Sequence, residues 1–162
     1  MNIRLCCPDD ERSWIDLNRE FMNFEISDDS PWNDTEKTPD SIFKNTFRAA
    51  LQNRELIVLL IIEVDGTPVG FANLMTIFSV WSHGKALILD DLYIKEEYRG
   101  KGYGKETMAY IEAYAEKNGY KRVQFQSEHS NPNAKKFYEA IGYTATGMYF
   151  YVKYLEVNNG CI

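Results

Sequence analysis

The sequence is poor in cysteine and offers no pattern for using it. Of its 162 residues only Cys6, Cys7 and Cys161 are cysteines. Adjacent Cys6 and Cys7 are badly placed to bridge each other, and no CxxC spacing suggests zinc. An odd count suits a reducing compartment. A basic-then-apolar leader is missing as well, because Asp9, Asp10, Glu11 and Arg12 fill the N-terminal stretch with charge. The run Leu56–Ile62 is far too short to span a bilayer. Cytoplasm is therefore the expected location. There is no surplus of positive charge: the net charge of −6 argues against nucleic-acid or anionic-membrane binding. No internal repeat or low-complexity linker divides the chain, so a single domain over residues 1–162 is expected.

What is present suits a soluble globular protein, with 44% hydrophobic and 26% charged residues. Aromatics reach 14%, including 11 tyrosines, more than a core requires, which points to surfaces that stack or hydrogen-bond. The acidic balance is compatible with a cationic substrate and equally with plain solubility.

Residues 9–25, DDERSWIDLNREFMNFE, place Trp14, Leu17, Phe21 and Phe24 at helical spacing, with Asp9 or Asp10 as cap. The polar, acidic stretch ISDDSPWNDTEKTPD reads as a loop. SIFKNTFRAALQNREL is a second amphipathic helix, with Ile42, Phe43, Phe47, Ala50 and Leu51 on its apolar side. The β-branched run LIVLLIIEVDGTPVGFANLMTIFSV breaks at VDGTPVG, which predicts two strands joined by a tight Asp65-Gly66 turn. KALILDDLYI is a further strand ending at Ile94. A glycine-rich stretch follows, then a helix with Met108, Ala109, Ile111 and Ala115 inward and a stop at Asn118-Gly119. RVQFQSE alternates as a strand, NPNAKKFYEAI forms a short helix ended by Gly142, and YTATGMYFYVKYL supplies two strands around Gly147. After a short possible strand at Ile3–Leu5 the order is ααβββαβαββ. This is α+β or mixed α/β, with a mostly antiparallel sheet and one β-α-β crossover.

The glycine-rich stretch EEYRGKGYGKET puts bare backbone at a helix start, where glycine is costly without a reason. A Walker loop would need glycine where Arg99 stands and Ser or Thr where Glu106 stands. The dinucleotide pattern G-x-G-x-x-G fails on the spacing of Gly100, Gly102 and Gly104, and on the hairpin that precedes them. The pattern R-x-x-G-x-G does fit, at Arg99, Gly102 and Gly104. Here the sequence resembles the GNAT superfamily of N-acetyltransferases, whose loop of this form binds the pyrophosphate of acetyl-CoA. NPNAKKFYEAIGY extends the resemblance, matching N-x-x-A-x-x-F-Y-E-x-x-G-[FY] at Asn131, Ala134, Phe137, Tyr138, Glu139, Gly142 and Tyr143. The match is close from about Leu87 to Tyr143 and only architectural over residues 1–86.

The resemblance implies a fold, a cofactor and a set of roles. The fold would be a GNAT-like twisted sheet flanked by about four helices. Acetyl-CoA would lie on the first turn of the helix, cradled by the backbone of Gly100, Gly102, Tyr103 and Gly104, with Arg99, Lys101 and Lys105 adding charge. The exposed backbone of Leu92, Tyr93 and Ile94 would pair with the pantetheine arm like an added strand. An N–H near Leu92 would polarise the acetyl carbonyl and stabilise its oxyanion. Asn131 would bind the cofactor arm, cap its helix, or do both, with Ala134 nearby. Tyr138 would be the acid that protonates the departing thiolate. Asp90 and Asp91, two acids in an otherwise apolar strand, are candidates for the base, Asp90 first; simple alternation sends them to opposite faces. Glu128 and His129 are outside candidates.

The acceptor side would be bordered by the loop between the first two helices, where Asp28, Asp29, Trp32 and Asp34 could attract and stack on a cation. A small polycationic amine, a polyamine or an aminosugar, is the leading acceptor class, with a protein lysine or N-terminal amine second. A non-catalytic acyl-CoA-binding module remains the alternative from another class. The aromatic segment MYFYVKYL could pack a homodimer.

Overall fold

The computed structural model describes residues 1–25, 38–127, 129 and 131–153. They form two compact units, Met1–Gln126 and a C-terminal one from Ser127.

The first unit is built on a five-stranded sheet of order β1-β2-β3-β4-β5, with β1 Asn2–Leu5, β2 Ile57–Val64, β3 Thr67–Ser79, β4 Gly84–Ile94 and β5 Arg122–Phe125. The first four strands pair antiparallel, and β5 joins β4 in parallel through the helix α3, Tyr103–Lys117. Asp65 and Gly66 turn the β2–β3 hairpin with positive φ angles of 51° and 77°, the twist that a two-residue loop between right-twisted strands requires. Both faces of the sheet are covered, which is why β2 reads as an unbroken apolar run: Val58, Leu59, Leu60, Ile61 and Ile62 are all buried.

One face carries α1, Glu11–Glu25, and α2, Asp40–Gln52. Trp14, Ile15, Leu17, Phe43, Phe47 and Ala50 pack there against Leu59, Ile61, Phe71 and Tyr93. The 3-10 turn Pro8–Asp10 leads into α1. Cys7 holds the capping position of that turn, and the Asp10 carboxylate reaches back to accept the Cys7 N–H at 2.8 Å. The Arg4 guanidinium forks onto the same carboxylate at 2.7 and 2.8 Å, tying β1 to the start of α1. Phe24, expected inward, is exposed at the end of α1, as is Ile42 near the start of α2.

The other face carries α3, which lies against β4 and β5 and buries Met108, Ile111 and Ala115. Ala109 is exposed, contrary to the helical-face expectation, and Thr107 is buried in its place. Thr107 can go inside because its hydroxyl donates to the Tyr103 carbonyl at 2.8 Å, leaving no polar group unpaired.

The second unit contains α4, Pro132–Ala140. The two strands expected around Gly147 are not there: residues 144–153 have no strand, and Met148, Tyr149, Phe150, Tyr151 and Val152 are exposed. Alternating side chains favour extended backbone, but a strand exists only where a partner takes its N–H and C=O groups. No described helix is long and apolar enough to cross a membrane.

Candidate active site

β4 creates the site by losing one neighbour halfway along. Its residues Ala86–Leu89 pair with Arg122–Phe125 of β5, which then ends. From residue 90 to Ile94 that side of β4 has no ladder partner among the described residues, while the other side stays paired with β3 as far as Ile94↔Gly70. The Lys95 N–H donates to the Val69 carbonyl at 2.9 Å and sets the phase of the ladder. Tyr93 and Asp91 therefore turn their N–H and C=O toward β3. Leu92 and Ile94 turn theirs to the open edge. Gly70 permits this close pairing, since a Cβ there would strike the Tyr93 carbonyl and the Ile94 backbone.

The open edge runs into the glycine loop. Gly102, with φ +89°, caps α3 in the left-handed region, and Gly100 is also left-handed at +73°. Nothing lies within 4 Å of where a Cβ would stand on either. Glu106 is the first residue to close a helical turn, onto the Gly102 carbonyl at 3.1 Å. The N–H groups of Tyr103, Gly104 and Lys105 precede that bond and lie at the positive end of the helix dipole. An open cradle of unpartnered N–H groups, next to an unpaired strand edge, fits the diphosphate and amide-bearing arm of CoA.

Two of the three expected cations, though exposed, are engaged by the protein's own groups. The Arg99 Nε–H donates to the Ile94 carbonyl at 2.8 Å, and its guanidinium stacks over Phe24 at 4.3 Å and Tyr93 at 5.5 Å. Lys101 donates to the Glu97 carbonyl at 2.9 Å. Lys105 is exposed on the first turn. Arg99 thus fastens the end of α1 to the loop, assisted by the Lys95–Glu20 ion pair at 3.0 Å. This accounts for exposed Phe24, which forms one side of the stack.

The acidic pair sits at a β-bulge. Asn73 pairs with Asp91 and Leu74 with Leu89, so Asp90 is an extra residue with no partner on β3. The simple alternation expected for Asp90 and Asp91 breaks here. Asp91 pairs with Asn73 and shares the α1 face with it, Phe71 and Tyr93, while Asp90 is left out of the ladder. Asp90 keeps accessible surface, yet the surrounding protein displaces enough water to push its carboxyl above the ordinary value. Asp91 accepts a hydrogen bond from the Asn73 amide at 2.8 Å. Asn73 in turn accepts from the Trp14 indole at 3.0 Å and donates to Asn18 at 3.3 Å. Sequence reasoning missed this chain. Its signal was present: Asn73 interrupts an apolar strand, and Asn18 lies on the apolar stripe of α1.

Within the second unit, Asn131 caps α4, its Oδ1 accepting the Ala134 N–H at 3.0 Å. Tyr138 packs edge-on to Phe137 and Tyr143, with ring centroids 5.0 and 6.2 Å away. Burial pushes its phenol above the usual range and keeps it neutral at physiological pH. Asp28, Asp29, Trp32, Asp34 and Glu128 lie outside the described residues. Asp40, at the end of the acidic loop, is engaged by Arg19 at 2.7 Å and Arg12 at 3.3 Å.

Residues 14–143 match the model of the acetyltransferase (GNAT) family, and the chain belongs to that family. Its open strand edge, glycine-started helix and β-α-β crossover are thus those of a GNAT acetyltransferase domain. An uncharacterized N-acetyltransferase, YhfO, of Bacillus subtilis (strain 168) is 38% identical over 96 residues, 59% of this chain and 64% of that protein. A D-amino-acid N-acetyltransferase of Saccharomyces cerevisiae is 25% identical over 138 residues, 84% of this chain and 80% of the relative. Among solved structures, an aminoglycoside N-acetyltransferase in complex with CoA superposes with a TM-score of 0.75 at 16% identity, covering 94% of this chain and 93% of that one.

Proposed function

We propose that the protein transfers the acetyl group of acetyl-CoA to a primary amine on a small polar molecule, with a polycationic amine as the leading class. The observation that carries this reading is the continuous run from the outward-facing Leu92 and Ile94 backbone to the Gly102-capped start of α3, with two carboxylates at the head of that run. Acetyl-CoA supplies an activated thioester. The first-turn N–H groups of α3 hold its diphosphate, and the outward backbone of Leu92 and Ile94 pairs with its arm. The Leu92 N–H donates to the thioester carbonyl oxygen and stabilises negative charge as it develops there.

An ammonium, with a pKa near ~10, must lose a proton before its nitrogen can attack. Asp90 accepts it, directly or through water. Its raised pKa makes it a better proton acceptor than an ordinary aspartate. Asp91 holds the ammonium of the incoming amine. The nitrogen then forms its bond to carbon as the carbon–sulfur bond breaks; the sulfur takes a proton from neutral Tyr138, and the phenolate regains one from the newly acylated nitrogen. The named relatives support a small amine, since D-amino acids and aminoglycosides both carry a primary amine on a compact polar body. Asp28, Asp29, Trp32 and Asp34 are proposed to border the acceptor.

Thiol release from acetyl-CoA, measured with spermidine, glucosamine, D-lysine and a lysine-containing peptide, tests the reading. Turnover of one or more of the three small amines, with amine KM rising as salt is added, is expected. Faster turnover of the peptide removes the acceptor class and leaves the transferase. CoA binding by calorimetry with no turnover of any amine leaves only a binding module.

A further inference from the structure

We propose that Asn73 is a positioning residue for the acceptor amine, acting through Asp91; this rests on the acetyl-transfer reading above and on its use of Asp91 to hold the ammonium. The side-chain amide of Asn73 lies at the centre of three side chains from two other elements, α1 and β4. Its Oδ1 accepts from Trp14 Nε1 at 3.0 Å. Its Nδ2 donates to Asn18 Oδ1 at 3.3 Å and to Asp91 Oδ2 at 2.8 Å. Asn18 is itself anchored, its Nδ2 donating to the Trp14 carbonyl one helical turn back at 2.7 Å.

The indole decides which way the amide points. Trp14 Nε1 can only donate, so the group facing it must be the oxygen. Turning the amide over would set NH₂ against the indole N–H and an oxygen against the Asp91 carboxylate, two repulsive contacts in place of two attractive ones. Asp91 therefore always meets a donor on this side, and its carboxylate plane is held from α1 through β3. The bulge is the other half of the device. Because Asp90 bulges out of the ladder, it is Asp91 and not Asp90 that pairs with Asn73 on the α1 face.

Stability alone does not account for the arrangement. Trp14 and Asn18 are each 4% exposed, and Trp14 belongs to the main apolar cluster. Apolar residues of the same shape could fill these positions without needing partners, and replacing all members of a buried polar network in that way is often neutral or better. A network that ends on a carboxylate beside the open strand edge orients that carboxylate.

A double-mutant cycle tests the inference, with acetyl-CoA saturating and spermidine, D-lysine and glucosamine as amines. Asn73→Leu keeps the shape and removes the donor. It is expected to raise amine KM about tenfold, the worth of one charge-assisted hydrogen bond, with the KM of acetyl-CoA unchanged. Asp91→Asn is expected to raise amine KM at least as much, and adding Asn73→Leu to it to raise KM no further. Trp14→Phe keeps the ring against Phe47 and removes the indole donor. It is expected to raise amine KM by a smaller factor, about threefold, and it carries the test if Asn73→Leu does not fold. An unchanged amine KM in Asn73→Leu, or the same fold-change from it with and without Asp91, overturns the positioning role and leaves the acetyl-transfer reading standing. An unchanged amine KM in Asp91→Asn, or no turnover of any of the three amines by the unaltered protein, overturns that reading's acceptor assignment and this inference with it.

Discussion

Replacing Gly102 by alanine separates the two things this residue does. Its φ of +89° costs a residue with a Cβ about 1–2 kcal/mol, whatever the space around it. That space is open, with nothing of the protein within 4 Å of the new carbon, so no steric clash adds to the cost. In a domain of this size the penalty corresponds to a Tm lower by about 2–8 °C. On the proposed reading, the same methyl group occupies open space at the start of α3, where the diphosphate would approach closely. CoA affinity should fall at least tenfold, about 1.4 kcal/mol, beyond any effect of stability. The control lies at the other end of the same helix. Gly119 is also left-handed, φ +73°, and also has nothing within 4 Å of its absent Cβ. Gly119→Ala should lower Tm by a similar amount and leave CoA binding unchanged. Calorimetric titration of both variants with CoA, with thermal unfolding of each, makes the comparison. If Gly102→Ala binds CoA as tightly as the unaltered protein, or if Gly119→Ala weakens binding equally, the cradle is a turn and nothing more.

Tyr138→Phe keeps the ring packing and deletes the proton, so kcat should drop roughly 10²-fold with little change in CoA affinity; full turnover would move the acid elsewhere. Asp90→Asn should lower kcat and yet raise Tm at neutral pH. Folding raises the Asp90 pKa, so the ionised carboxylate costs stability above that pKa, and the cost vanishes below the ordinary value near 3.8. A Tm gain that persists unchanged at about pH 3 would contradict the burial argument. Asp10 behaves in the opposite sense. Arg4 holds its carboxyl down at about 2, so it stabilises the fold above the ordinary 3.8, by about 2 kcal/mol, and that stability disappears as pH falls toward 2. Asp10→Asn should be less stable at pH 7 and lose less between pH 4 and 2; parallel losses in urea unfolding would remove the ion pair from the account.

The local grammar of the chain was open to reading because it depends on near neighbours in sequence. The Asp65-Gly66 turn, the apolar stripes of α1 and α2, and the stop at Gly119 are each decided within a few residues, and they appear where expected except for Phe24 and Ile42, which are exposed. The glycine loop belongs with them: three glycines at a helix start impose bare N–H groups whatever the rest of the fold does. The polar helix cap at Asn131 is equally local. The sheet order follows from short connections and a single β-α-β crossover, which leave few alternatives for β2 to β5.

Only tertiary structure decided how the acids are used and where the cations go. Period-two alternation says that Asp90 and Asp91 face apart, but pairing with β3 inserts a bulge between them, and a bulge is a property of two strands together. Asn18 and Asn73 are 55 residues apart in sequence, so no local pattern could join them to Trp14 and Asp91 in one network. Arg99 was legible as a charge in a motif, but its stack on Phe24 needs α1 to lie across the end of β4. The C-terminal alternation shows the same limit from the other direction: residues 144–153 have the pattern of strands and form none, because a strand needs a partner that its own sequence does not contain. The sequence by itself determined the glycine-started helix and the order of elements, since these are short-range. The split edge of β4 and the orientation of Asp91 arise only when strands distant in sequence meet, because hydrogen-bond register and burial belong to the assembled sheet.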